Sequence, residues 1–233
     1  DLHLCDRRQR QMCIRDRWIL LIGSIVLYMI AHAVQQDDFR HIRTLAELNA
    51  VTYGDNMIAD LNAGINITDT LEQLLISTDG RIDKFDIIAD RMMADYVQSI
   101  QLAPGGVVTD IYSTEGNEAG KIDLIHDKDR GEIVNYGIDH DLLVMHGPFE
   151  LKQGGYGIAI RNPVFLQDEN GNSYFWGLTI VIIKAPEIFR DSVDSLSGFG
   201  YQYRLSKTIS PLTDEYTVVD QSEETLICLL YTS

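Results

Sequence analysis

Hydrophobic positions along the chain fall into three patterns. From Trp18 to Val34 (WILLIGSIVLYMIAHAV) seventeen residues pass without a formal charge. As a helix that is about 25 Å, at the short end of what crosses a bilayer core of about 30 Å. From residue 35 to 66 the apolar positions Phe39, Ile42, Leu45, Leu48, Val51, Ile58, Leu61 and Ile65 recur mostly at three-residue or seven-residue steps, with no Pro. This predicts one long helix. Asp69-Thr70-Leu71-Glu72 has the form of a capping box, so a second helix is expected to open at Leu71, Leu74 and Leu75. Ser77-Thr78-Asp79-Gly80 interrupts it, and Ile82, Phe85, Ile88, Met92 and Tyr96 resume it.

From Ser99 onward the apolar runs shorten and Gly and Pro punctuate them. Gly106 to Tyr112, Leu142 to Met145, Phe149 to Lys152, Gly157 to Phe165 and Tyr174 to Ile183 read as strands of one antiparallel sheet. Asp168-Glu169-Asn170-Gly171-Asn172 is a hairpin connection, because Asn-Gly supplies the positive φ angles that twisted strands require. Asp127 to Gly137, opening on a capping Asp, and Pro186 to Leu196 read as helices. The class is α+β: an N-terminal transmembrane helix, a long helical stalk and an antiparallel sheet with helices on it.

Charge changes this picture at the two ends. Nineteen Lys and Arg stand against 35 Asp and Glu, a formal net charge of −16. That excludes a phosphate-tracking surface, and with it nucleic acid as a partner. Residues 1 to 17 carry five Arg and three Asp, whereas Gln35, Gln36, Asp37 and Asp38 follow the apolar segment. The positive-inside bias puts the N-terminus in the cytoplasm and everything from residue 35 on outside a plasma (inner) membrane. Cleavage after Ala31-His32-Ala33, the small-x-small form of a signal peptide, is the rival reading; it exports the body equally. A buried core helix is the third.

Cys5, Cys13 and Cys228 all lie in the terminal stretches, so the body between them has neither a disulfide framework nor a thiolate metal site. Arg10 to Asp16 and Cys228 to Ser233 resemble translated sequencing-adapter read-through, so 1–17 and 226–233 are set aside from fold reasoning. The sequon Asn66-Ile67-Thr68 has meaning only in a eukaryotic secretory path.

Several motifs then stand in one order after the anchor. They are Tyr112 to Asp123, Asp127-Lys128-Asp129-Arg130, His146-Gly147-Pro148-Phe149-Glu150-Leu151, Gly154-Gly155, Arg161-Asn162-Pro163-Val164-Phe165 and Phe175-Trp176-Gly177. Over roughly residues 36 to 220 the chain resembles the CHASE domain, the extracellular sensor of bacterial cyclases and histidine kinases and of plant cytokinin receptors. The resemblance implies a stalk helix at 35–97 after the anchor at 18–34. It also implies a membrane-distal PAS-like ligand module at 98–197 and the start of a membrane-proximal one at 198–225. It implies an output cyclase, phosphodiesterase or histidine kinase beyond this chain. Positions similar to those that bind an adenine-type ligand in plant members are Asp123 and Val144 through Leu151.

Each candidate residue has a plainer role beside the ligand-binding one. Asp123 either accepts two N–H donors from a heterocycle or braces its loop. Phe149, Tyr156, Phe165, Phe175 and Trp176 wall a pocket or fill a core. Val144 and Leu151 belong to the strand carrying the Pro-Phe pair. Gly154-Gly155-Tyr156-Gly157 is a turn and not a phosphate loop, since no Lys-Ser/Thr follows. Arg161 reaches a ligand anion or pairs with Glu150, the internal pair being preferred. His126, Asp127, Asp129, Asp139, His140 and Asp141 fit no metal-ligand spacing, and no nucleophile motif accompanies the histidines. No enzymatic chemistry, metal or cofactor is expected here.

The expected function is an extracytoplasmic small-molecule sensor of a transmembrane receptor. It is anchored in the bilayer through 18–34 and dimeric through its stalk helices, and it signals by a population shift. The ligand is a small organic molecule. The alternative is a membrane-anchored structural or interaction module without a ligand. A secreted solute binder would require cleavage after Ala33.

Overall fold

The structure, a computed structural model, describes residues 2–113, 122–151, 154–185, 187–208 and 215–222, with side chains from residue 17 on. Lys152, Pro186, the three cysteine side chains and the stretch from 223 on lie outside the described residues or side chains. The chain divides into two compact units, Asp1–Thr52 and Tyr53–Ser233.

Helix α1 is Leu2–Ser77. In the first unit an 18-residue window of it reaches a mean hydropathy of 1.8, long and apolar enough to cross a membrane, and Trp18 to Val34 are exposed. Phe39, Ile42, Leu45, Leu48 and Val51 are exposed as well. Each three-residue step falls about 60° short of a full turn, so these five positions wind round the helix.

The expected break at the capping box is absent, and α1 runs through Asp69–Glu72 to Ser77. The two side chains of the box, Asp69 and Glu72, accept from Asn162 Nδ2 instead, at 3.5 and 2.8 Å. Burial supplies the reason: Ile67, Leu71 and Leu75 are core residues, and packing overrides a local signal for a helix start. The interruption at 77–80 does occur, and α2 (Phe85–Met92) follows.

A five-stranded antiparallel sheet forms the body: β1 Val97–Pro104, β2 Asp110–Tyr112, β3 Val144–Glu150, β4 Tyr156–Gln167 and β5 Ser173–Ala185, in the order β2-β1-β5-β4-β3. Strand β1 was not expected; its run is nearly all buried, so no alternation marks it. The strand expected at 106–112 shrinks to β2, with Val107 making a single bridge to Asp123. The two strands expected on either side of Gly147-Pro148 are one strand with a register shift between His146 and Phe149. Gly147 makes that possible: its φ is +132°, and a Cβ there would stand 2.6 Å from the Gly157 carbonyl oxygen. The β4–β5 connection closes on Asp168, whose Oδ1 accepts the backbone N–H groups of Asn170 and Asn172. Of its Asn-Gly pair only Gly171 has positive φ.

Helix α3 is Gly131–His140, three to four residues later than expected, because Asp127 caps the turn ahead of it by accepting the N–H of Asp129 and Arg130. A 3-10 turn at Glu187–Phe189 leads into α4 (Arg190–Gly198), and β6 (Arg204–Thr208) pairs with β7 (Tyr216–Gln221) in a separate small sheet.

The two faces of the large sheet carry different helices. One face packs Ile100, Ile160, Val164, Val181 and Ile183 against Leu71 and Leu75 of α1. The other packs Leu178 and Ile180 against Val134 of α3.

Candidate functional site

Cross-strand partners share a face, so the pairing register spells out what lies beneath α3. One row across all five strands is Ile111, Gln101, Ile180, Arg161 and Val144. The adjacent row on the same face is Ser99, Ile182, Ala159 and His146. These two rows thus hold four polar side chains among apolar ones, and Ser99, Gln101 and Arg161 are buried. Gln101 satisfies itself locally by donating Nε2 to Ser99 Oγ at 2.9 Å.

Arg161 does not. Its residue is 3% exposed, and its Nε and Nη1 have no hydrogen-bond partner among the described residues. A buried donor left unpaired costs about 1–3 kcal/mol, more when charged, so two on one guanidinium call for an explanation. The expected pair with Glu150 does not form: Glu150 is exposed and stands opposite Tyr156, five residues along β4 from Arg161. Burial, then the nearby charge of Arg130, pulls the Arg161 guanidinium down to about 10, against the attraction of Asp127. It stays cationic at neutral pH.

His146 also presents a buried, unpartnered atom, Nδ1. Burial, then the charges of Arg161, Arg130 and Lys207, pushes its pKa down to about 4, Asp127 opposing, so the ring is neutral at physiological pH. Phe149 stacks on it at 5.9 Å between centroids. Asp127 is desolvated, which favours its acid form, yet the N–H donors of Asp129 and Arg130 and the charges of Arg130 and Arg161 outweigh that and hold its pKa below the ordinary carboxylate range. Gly137 lets α3 come close over this face, since a Cβ there would stand 2.8 Å from the Leu142 carbonyl oxygen and 2.9 Å from Val144 Cγ1.

The residues proposed from the sequence are spread over both faces and the rim. Val144, Arg161 and Phe165 share the α3 face, where Phe165 meets Phe175 edge-on at 5.7 Å. Trp176 packs toward the α1 side, over the turn at Gly80. Leu151 is buried and its N–H donates to Gly155 O, while Tyr156 is 57% exposed beside the open glycines Gly154 and Gly155. Asp123 spends its carboxylate on its own loop: Oδ1 accepts the N–H of Ile125 and His126, and Oδ2 lies 2.8 Å from His126 Nδ1. That His126 contact lowers its pKa.

Gln101 and Ser99 were not singled out from sequence, while His146 lay within the stretch Val144 through Leu151 and Arg130 within a motif of the resemblance, neither named as a site residue. Their meaning depends on which face of which strand they occupy. Among the described residues no three His, Cys, Asp or Glu side chains gather as a metal site. A 970 Å³ cleft over the β4–β5 hairpin takes Phe165 alone of the expected residues, and its acids include Asp168, whose oxygens are engaged in the turn.

No protein-family model matches the chain, and no curated protein matches it. Among solved structures, an extracellular ligand binding receptor from Desulfohalobium retbaense DSM5692 is similar at 16% identity and a TM-score of 0.49. The match covers 63% of this chain and 26% of that receptor, so the chain spans about a quarter of its length.

Proposed function

We propose that the chain is the extracytoplasmic ligand-sensing part of a membrane-anchored signalling receptor, with the ligand seated on the α3 face around Arg161. The observation that carries this is the pair of consecutive residues Arg161 and Asn162 in β4. Arg161 holds unsatisfied donors on one face, and Asn162 Nδ2 donates to Glu72 Oε2 of α1 on the other at 2.8 Å. Thr179, the cross-strand partner of Asn162, donates its hydroxyl to the Thr68 carbonyl of α1. A ligand that shifts β4 therefore acts on α1 through two polar contacts. It moves the equilibrium only as far as it binds one helix arrangement better than the other.

The CHASE resemblance supports a PAS-like reading of the sheet module and an output enzyme of the cyclic-di-GMP or histidine kinase kind beyond this chain. The apolar segment 18–34 supplies the bilayer anchor in this reading, with residue 35 onward outside. Association of two copies through the stalk rests on exposed apolar neighbours of α1 such as Leu48 and Val51, about 60° apart round the helix. Binding, and no catalysis, is the work of these residues.

The full chain in lipid nanodiscs, screened by thermal shift against a library of small metabolites, tests the proposal. Saturable stabilisation by at least one compound, lost on substitution at Arg161 with folding retained, is the expected result. Absence of any saturable effect would favour the interaction module instead.

A further inference from the structure

We infer that Asp69, Glu72 and Asn162 form a proton-operated clasp between α1 and the sheet, which closes when the two carboxylates take up one proton between them. The inference goes beyond the ligand reading and stands without it. In a sensor, the proton would be a second input to the helix on which the ligand acts.

The geometry of the junction sets up this response. Asp69 and Glu72 stand three residues apart on α1, the spacing that puts two side chains on one helix face. Both reach the same donor group: Asn162 Nδ2 of β4 lies 2.8 Å from Glu72 Oε2 and 3.5 Å from Asp69 Oδ1. One neutral amide thus faces two carboxylates, and each negative charge raises the proton affinity of the other. Thr179 beside Asn162 offers them no donor, because its hydroxyl proton goes to the Thr68 carbonyl. Asp141, the residue that ends α3, adds a third negative charge at Glu72, and among the described residues no cation is one of the charges acting there.

A proton on Glu72 removes its charge but leaves a carbonyl oxygen that still accepts from Asn162. The hydrogen bond to the sheet survives, while the repulsion from Asp69 within α1 and from Asp141 across the interface is lost. Burial raises the Glu72 pKa, the Asn162 bond opposes that, and the charges of Asp69 and Asp141 add to the rise. The closed junction therefore holds its proton more tightly than an open, solvated one does. Closure is favoured as pH falls below the folded pKa and weakens as pH rises through it. Each unit of difference in proton affinity between the two states moves their equilibrium about tenfold.

The test uses the full chain in lipid nanodiscs. The ¹³Cδ resonance of Glu72, assigned through its bonds to the Glu72 backbone, gives the titration midpoint. Melting temperatures of wild type and Glu72→Gln from pH 4 to 8 give the effect on packing. The expected midpoint lies above the ordinary 4.5 and falls in Asp69→Asn and in Asp141→Asn, each of which removes one neighbouring charge. Glu72→Gln keeps an acceptor for Asn162 without the charge, so it should melt about 1–3 °C above wild type at pH 8, with the gap closing by pH 4. Comparing the two proteins cancels other titrating groups such as His146. A midpoint at or below 4.5 would overturn the inference, as would a midpoint that neither Asn variant moves or a gap that stays constant with pH. Should Glu72→Gln fail to fold, the shift in Asp141→Asn decides, since Asp141 is exposed. Failure to bind any small molecule would sink the sensor reading and leave each of these results as expected.

Discussion

Asn162 and Glu72 meet at 2.8 Å across the interface between the sheet and α1, ninety residues apart in sequence. Burial raises the Glu72 pKa, the Asn162 bond opposing and the charges of Asp69 and Asp141 adding to the rise. Singly replacing either residue by Ala should cost roughly 1 kcal/mol, and a double-mutant cycle by chemical denaturation should return a coupling of about 0.5–1.5 kcal/mol. Zero coupling would remove Asn162 from any path between site and helix.

Arg161→Met should stabilise the ligand-free protein by roughly 1–3 kcal/mol, because it replaces a buried cation that carries two unpartnered nitrogens with an apolar chain of similar reach. Ile180→Ala in the same row should instead cost about 2–5 kcal/mol. Opposite signs in urea denaturation would mark Arg161 as kept for binding at the expense of stability. A loss in Arg161→Met would mean that the guanidinium has an internal partner.

The depressed pKa of His146, about 4 when folded against an ordinary 6.5, makes stability depend on pH. The unfolded chain binds this proton more readily, so the contribution is complete above about pH 6.5 and is lost as pH falls through 4. With the ring only half-buried, solvent screening reduces the effect to about 1–2 kcal/mol. His146→Gln should flatten the stability profile over this window, measured by denaturation at half-unit pH steps.

Gly137→Ala lies inside a helix, where Ala normally gains about 1 kcal/mol over Gly. Here the added Cβ meets the Leu142 carbonyl oxygen and Val144, so the sign should reverse to a loss of roughly 1–3 kcal/mol. A raised melting temperature would show that α3 can lift away from β3.

Leu48→Asp with Val51→Asp should abolish self-association of the full chain in light scattering and leave the unfolding of the sheet unchanged, since both residues are exposed. Retained association would move the interface elsewhere on the chain.

Nearest-neighbour chemistry made much of this fold legible. The uncharged run from Trp18 to Val34 is its own evidence, because solvation acts on a segment whatever it packs against. The hairpin at Asp168–Asn172 follows from Asp and Gly side-chain and backbone preferences, and Asp127 announces a helix by the same local bonding. Helix α1 shows the limit: its internal Asp-Thr-Leu-Glu satisfied the local rule for a helix start, and the burial of Leu71 and Leu75 decided otherwise.

The α+β class is therefore a property of the sequence, read from periodicity and composition over a few residues at a time. Which side chains meet is not. Placing Arg161 beside Ile180 and Val144, and Asn162 on the opposite face against Glu72, needed the register of three strands, and strand β1 with its Gln101 and Ser99 had no alternation to reveal it. Register is set by long-range burial, and a slip of one residue would exchange Arg161 for Asn162. Only the assembled sheet decides which of the two faces the site.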